Sequence, residues 1–150
     1  MYETIFSATG SLAMLGWLAL AVGPRFPFVV EVFARLLVPC AIALVYGWLM
    51  ATHIGGAPAE GGFGSLASVK ALFTVDGLLL AGWVHYLAFD LFVGSWEVQD
   101  ARERGVPHLL VLPCLFATFM AGPVGLALYV LLRTVVLALR RQPPSAEAAA

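Results

Sequence analysis

The sequence predicts an all-α fold, an integral membrane bundle of four transmembrane helices. Of its 150 residues, 61% are hydrophobic and only 11% are charged, whereas an ordinary soluble domain is about 45–50% apolar and about 25% charged. The chain also contains four apolar segments near or above the roughly 20 residues that cross a bilayer. We therefore expect a single four-helix transmembrane domain over residues 1–141 and a disordered tail over residues 142–150.

The four apolar segments are separated by residues that stop a helix or need water. They cover about residues 5–22, 28–51, 72–94 and 107–139. The last segment is long for a bilayer, and its Gly122-Pro123 pair predicts a kink because proline removes a backbone donor. Four crossings would place both termini on one side of the membrane, together with Lys70, Arg140 and Arg141.

Two connections between the segments carry information. The first is residues 53–71. In this connection and just beyond it, apolar side chains recur at three- or four-residue steps: Phe63, Leu66, Val69 and Phe73. This spacing predicts either a short amphipathic helix on the membrane surface or, equally well, a flexible loop. Residues 95–106 are rich in charged side chains, so we expect this connection to lie in water.

Composition and motifs exclude several functions. The net charge is −1 and no basic patch exists, which argues against nucleic acid binding. Lys70 is the single lysine and precedes a span, so a retinal Schiff base is excluded. Neither a His-Glu-x-x-His zinc motif nor a Glu-x-x-His pair is present. We expect a protein without a cofactor or a metal, in which Cys40 and Cys114 are small buried residues.

The beginning of the chain bears on where the protein resides. A cleavable signal has a basic first region, whereas this chain begins Met1-Tyr2-Glu3 and continues into an apolar stretch long enough to span. We expect the first helix to be retained. With no transit peptide before it, the chain is expected to be a multi-pass protein of the bacterial inner membrane.

Polar residues inside the third segment are the strongest functional signal, because an ionisable group in a span is costly unless it faces protein or water. Asp76, Trp83 and Asp90 are seven residues apart and share one helix face. His85 points about 200° away from Trp83. Because polar groups occupy several faces, we expect the third helix to be central in the bundle.

Counting residues along the helices gives each polar group a depth. Glu31 and Arg35 lie in the first turns of the second predicted helix, Asp90 lies near the end of the third, and His108 lies at the start of the fourth. These four groups are expected at one membrane level, with His85 about 7 Å deeper. They form either a substrate site or an interhelical network of Glu31–Arg35 and Asp90–His108 pairs. At the opposite level, we expect an ion pair between Asp76 and Arg133.

The residue types at this level favour acid–base chemistry on an apolar substrate. Asp90 and His85 are the candidate catalytic proton donor and acceptor. Trp83, Tyr86 and Phe89 would bind a flat hydrophobic molecule, with Glu31, Arg35 and His108 nearby; packing and an interfacial aromatic belt explain these aromatics equally well.

The run from Gly82 to Gly94, GWVHYLAFDLFVG, resembles the signature of the ABA4-like family, named for a plant plastid protein required for neoxanthin formation. Supporting pieces are Gly16-Trp17, Pro24-Arg25, Leu72-Phe73, Pro107-His108 and Gly122-Pro123 with Gly125. The resemblance covers nearly all of the chain from the first helix to about Arg140.

The resemblance implies four spans and, in plants, the isomerisation of an epoxy-carotenoid to an allenic one. Such a step needs an acid at the epoxide oxygen and a base for a polyene proton, roles that would suit Asp90 and His85. We therefore expect a cofactor-free isomerase acting on a carotenoid or other isoprenoid. The alternative is a non-catalytic pigment- or lipid-binding protein that assists a partner enzyme. An unfilled face of the bundle would allow a homodimer.

Overall fold

The computed structural model describes residues 1–141, which are helical over most of their length. The helices are α1 (Tyr2–Val22), α2 (Val38–His53), α3 (Leu66–Leu72), α4 (Asp76–Glu103), α5 (His108–Ala121) and α6 (Pro123–Arg141); a π-helical stretch, Val29–Leu37, runs directly into α2. The expected disordered tail, residues 142–150, lies outside the described residues.

Four helical segments are long and apolar enough to cross a membrane: Tyr2–Val22, Val29–Gly56, Asp76–Glu103 and Pro123–Arg140. Large apolar side chains point outward from them, among them Leu18, Leu44 and Leu131. Such extensive exposed apolar surface suits lipid rather than water. The prediction of an all-α fold with four spans is confirmed.

The stretch before α2 is wound more widely than an α-helix. Pro39 follows it and has no amide proton, so the turn before it lacks one hydrogen-bond donor. The wider winding lets the Val38 amide bond the Phe33 carbonyl five residues back. Glu31, in the first of these turns, faces the C-terminal end of α4 and pairs with Arg102.

The central position expected for the third helix is confirmed, because α4 packs against α1, α2, the π-helical stretch and α5. It runs parallel to α1, with Phe6 stacked on Trp83 and Trp17 against Gly94. It runs antiparallel to α2, whose His53 lies against Gly77. Half of the most apolar stretch of α4 is buried, which makes this helix the core of the molecule.

The expectation that residues 95–106 form a connection in water is wrong. α4 continues without a break to Glu103, and its last turns are covered by α5 and α6. Glu97 is 0% exposed and Asp100 only 6% exposed. Charged residues in this part of the sequence suggest a loop, but here two of the carboxyl groups point into the protein and find polar partners there.

The chain changes direction at the predicted position, Gly122-Pro123, but it reverses there between two helices instead of kinking within one spanning helix. Gly122 has φ +35°, a value that glycine adopts readily because it has no Cβ. Gly125 lies against the backbone of Thr118, whereas residues seven apart in a continuous helix are about 10 Å apart. We call α5, Gly122 and α6 the α5–α6 hairpin.

The hairpin overturns the expectation that both termini lie on one side. Tyr2 bonds His53 beside the start of α4. Arg133 bonds Asp100 near the end of α4, and the Arg140 guanidinium reaches Gly105 just beyond it. The first residues of α1 and the last residues of α6 therefore lie at opposite ends of α4.

The connection between α2 and α4 contains the seven-residue helix α3. Ser65 begins it, and its side chain accepts a hydrogen bond from the Ser68 amide at 3.1 Å, the usual way to satisfy a free amide at a helix start. Of the two structures predicted for this connection, the helix is therefore the one observed, although Phe63 precedes it and Phe73 follows it.

Candidate functional site

A groove of about 650 Å³ runs between α1 and α4 at the N-terminal end of both helices. We call it the α1–α4 groove. Phe6 and Trp83 stack along it with ring centroids 5.4 Å apart, and the acidic residues Glu3 and Asp76 also line it. The groove is open because the α5–α6 hairpin turns back before covering this part of α4.

Asp90 lies seven residues beyond Trp83 on the same face of α4, where the hairpin begins to cover the helix. Its carboxylate lies against Gly122. If Gly122 carried a Cβ atom, that atom would be only 2.7 Å from Asp90 Oδ1. Its Oδ2 is buried and has no hydrogen-bond partner among the described residues. One helical turn nearer the groove, Tyr86 donates its hydroxyl to the Phe119 carbonyl at 3.1 Å.

Glu97 continues the same face by another seven residues and is enclosed by α5. The Thr118 hydroxyl donates to its Oε1 at 2.8 Å. Its Oε2 is buried and finds no partner within residues 1–141. This face of α4 therefore has three acidic residues that become more buried along the helix: Asp76 is exposed, Asp90 is partly buried and Glu97 is buried.

Asp100 anchors α6 to the last turns of α4. It accepts a hydrogen bond from the Tyr129 hydroxyl at 2.6 Å and pairs with Arg133 at 3.1 Å and with Arg104 at 2.8 Å. The hydrogen bond to Asp100 also raises the pKa of the Arg104 guanidinium, so this side chain stays charged. Arg133 in addition lies 5.9 Å from the Trp96 ring centroid.

His85 lies on a different side of α4 from Asp90. Its ring stacks on Phe89 at 4.5 Å and lies 5.5 Å from the Tyr46 ring of α2. It lines a second groove, of about 230 Å³, between α2 and α4. The two residues predicted to act on one substrate are therefore not brought into one groove, and Phe89 accompanies His85 rather than Trp83 and Tyr86.

The structure does not gather Glu31, Arg35, Asp90 and His108 at one level. Glu31 pairs with Arg102 at 3.0 Å, and His108 shares a hydrogen bond with the Ala21 carbonyl at 2.9 Å. Asp90 meets Gly122 at the other end of α5, about 20 Å from His108 by helix rise. The four groups lie at different levels because α4 ends at Glu103 rather than near Gly94, which leaves Asp90 in the middle of the helix.

The alternative network is not formed either. Neither Glu31–Arg35 nor Asp90–His108 appears among the ion pairs and hydrogen bonds of the described residues. The predicted pair of Asp76 and Arg133 is wrong, since Arg133 bonds Asp100 instead. The reason is the hairpin, which brings α6 to the C-terminal end of α4 while Asp76 stays at the start.

Sequence reasoning missed Glu97, Asp100, Thr118 and Tyr129. One signal pointed to Glu97, because it extends the seven-residue spacing of Asp76, Trp83 and Asp90. Nothing local pointed to Asp100, whose partners come from α6. Among the described residues no group of three His, Cys, Asp or Glu side chains could hold a metal ion.

These features define a polytopic helical membrane protein with an open groove and acidic groups along its central helix. The chain belongs to the ABA4-like family, since the model of that family, described as ABA DEFICIENT 4-like, matches residues 4–129. Comparison with curated proteins and with solved structures finds no match.

Proposed function

We propose that this ABA4-like membrane protein is a cofactor-free isomerase that binds a carotenoid or another extended isoprenoid in the α1–α4 groove. The observation that carries the proposal is the alignment of this open groove with Asp90. Trp83 lines the groove, and Asp90 follows on the same face with a buried carboxyl oxygen that has no partner among the described residues. An intramembrane acid of this kind marks function more often than packing.

The groove suits a long apolar ligand that enters from the bilayer. Its volume of about 650 Å³ lies within the roughly 300–1,000 Å³ of small-molecule sites. Phe6 and Trp83 offer stacked ring faces, and such faces pack well against a flat conjugated chain. A ligand longer than the groove would extend into the surrounding lipid. As part of the proposal, that lipid is the bacterial inner membrane.

Asp90 has the chemistry that an epoxide isomerisation requires. In its acid form it gives a proton to the epoxide oxygen while the carbon–oxygen bond breaks. The carboxylate left behind accepts the proton that the polyene loses, so protons and charge balance over the cycle. One carboxyl group thereby serves both steps, which removes the need for His85 in this groove.

The test is expression in a carotenoid-producing bacterial host, followed by pigment extraction from membranes and from the purified protein. We expect wild type to convert part of the pigment and to retain pigment on purification. Asp90→Asn should lower conversion by about 100-fold or more, since general acid–base groups contribute 10²–10⁴-fold, while still retaining pigment. Glu103→Gln, an exposed carboxyl at the end of α4, is the matched control.

Two outcomes would decide against this function. Conversion by Asp90→Asn at the wild-type rate would remove Asp90 from the chemistry. Pigment retained by wild type without any conversion would favour the alternative, a non-catalytic pigment- or lipid-binding protein that assists a partner enzyme. Trp83→Ala separates binding from chemistry, because it should reduce pigment retention and conversion together.

A further inference from the structure

The second groove, between α2 and α4, contains a polar group that the proposed reaction does not use. We call it the α2–α4 groove. Its volume is about 230 Å³, and it is lined by Tyr46 and Met50 of α2, Phe63 and Phe73 of the connection, and Gly82 and His85 of α4. Apart from His85 and the Tyr46 hydroxyl, these side chains offer only apolar surface.

His85 lies deep in the apolar part of α4. It is nine residues from the helix start, or about 13 Å by helix rise. Its side chain is exposed rather than enclosed. None of the hydrogen bonds found within residues 1–141 involves its ring, in contrast to His53 and His108, which both have partners. A polar ring that faces hydrocarbon without a partner is unfavourable, so an occupant that supplies a partner would be stabilising.

The walls of this groove restrict the shape of the occupant. The His85 ring is stacked on Phe89 with an interplanar angle of 22° and tilts against Tyr46, so its orientation is held on two sides. The volume lies below the roughly 300–1,000 Å³ range of sites for whole drug-sized ligands. The space therefore suits one ring of a larger molecule, with the remainder in the lipid.

We propose that the α2–α4 groove is a second ligand site, which binds the oxygen-bearing ring of a lipid-soluble molecule. The ring packs among Tyr46, Met50 and Phe73, and its hydroxyl or carbonyl oxygen hydrogen-bonds His85. The imidazole ring can form a hydrogen bond with either a hydroxyl or a carbonyl group, because it has both a donor and an acceptor nitrogen. This site is separate from the α1–α4 groove and does not depend on the reaction proposed at Asp90.

Histidine signals in nuclear magnetic resonance give a direct test, since the chain contains three histidines. The full-length protein is labelled on its histidine rings, placed in lipid nanodiscs and titrated with 4-decylphenol, with decylbenzoquinone, or with decylbenzene, which lacks the oxygen. We expect both oxygen-bearing probes to shift the His85 ring signals in a saturable manner. The His108 signals, at the other end of the bundle, should stay in place, and decylbenzene should produce no saturable shift.

Variants supply a second measurement, the equilibrium binding of radiolabelled 4-decylphenol to the nanodiscs after subtraction of empty discs. His85→Leu should weaken binding about tenfold, the scale of one hydrogen bond, whereas His85→Gln keeps a donor and an acceptor and should stay within about threefold of wild type. Gly82→Ala leaves His85 intact but places a methyl group 3.2 Å from the Phe73 ring. It should weaken binding by narrowing the groove.

Three results would overturn this site. They are equal shifts with decylbenzene and 4-decylphenol, wild-type affinity in His85→Leu, and His85 signals that change with protein concentration and not with the probe. The last result would mean that a second copy of the chain covers the groove. None of them bears on pigment conversion by Asp90, so the two proposals fail separately.

Discussion

At the scale of single residues, Asp100 is the group on which the attachment of α6 depends. It accepts hydrogen bonds from Tyr129 and Arg133 of α6 and from Arg104. Asp100 is buried, whereas the side chains of Arg104 and Arg133 are 47% and 23% exposed, so solvent screens part of the lost interaction. We predict that Asp100→Asn lowers the free energy of unfolding by about 2 kcal/mol, measured by denaturant titration in detergent micelles.

Glu31→Gln is the matched control for that prediction, since it removes another carboxylate from an ion pair with an arginine. The Glu31 and Arg102 side chains are 51% and 57% exposed, and exposed pairs contribute about 0–1 kcal/mol. The change in stability should therefore be several times smaller than for Asp100→Asn. Equal effects of the two substitutions would show that the Asp100 network does not fix α6.

The sequence predicted part of this residue-scale picture. The spacing of Asp76, Trp83 and Asp90 correctly placed them on one helix face, because helix periodicity is a local property. The partners of Asp100 and Glu97 could not be predicted, since a pairing between α4 and the α5–α6 hairpin depends on how the chain turns. Charged residues crowded after Gly94 also suggested a loop, although the helix continues through them.

At the scale of elements, the α5–α6 hairpin depends on the close approach of its two helices. A Cβ at Gly125 would fall on the backbone of Thr118, and a backbone cannot move aside as a side chain can. We predict that Gly125→Ala destabilises the protein by at least about 2 kcal/mol. Because Thr118 bonds Glu97 and Gly122 lies beside Asp90, the same variant should also reduce pigment conversion.

Gly47→Ala is the control for this effect, because nothing lies within 4 Å of a Cβ at that position in α2. Alanine has the higher helix propensity, so this variant should be as stable as wild type or slightly more stable. Thermal unfolding of both variants in the same nanodiscs makes the comparison. A Gly125→Ala protein as stable as Gly47→Ala would contradict the tight crossing of α5 and α6.

The elements themselves were largely predictable. Long apolar runs identified the first three spans, and Gly122-Pro123 marked the position where the fourth apolar run changes direction, since both signals are local. The direction of the chain after the break was not predictable. A Gly-Pro pair ends a helix whether the next helix continues onward or turns back, and here the choice is made by contacts of α6 with Thr118 and Asp100.

At the scale of the whole molecule, the hairpin places Arg140 at the opposite end of the bundle from the one that the sequence predicted. With α6 turned back, arginines collect at the end where α4 finishes: Arg25, Arg102, Arg104 and Arg140. Lys70 lies in α3, near the start of α4. Positive residues favour the cytoplasmic side of a membrane, so we infer that the C-terminal end of α4 faces the cytoplasm and that α1 begins on the opposite side.

Side-specific thiol labelling tests this topology in intact cells. After Cys40 and Cys114 are replaced by serine, single cysteines are introduced as Glu60→Cys, Arg102→Cys and Arg140→Cys, and a membrane-impermeant maleimide is added. We predict labelling of Glu60→Cys from outside, whereas the two arginine positions react only after the cells are opened. If Arg140→Cys instead labels together with Glu60→Cys, α6 crosses the membrane away from Arg102 and the hairpin is wrong. If Arg102→Cys labels from outside along with Arg140→Cys, the hairpin stands and the charge-based orientation is reversed.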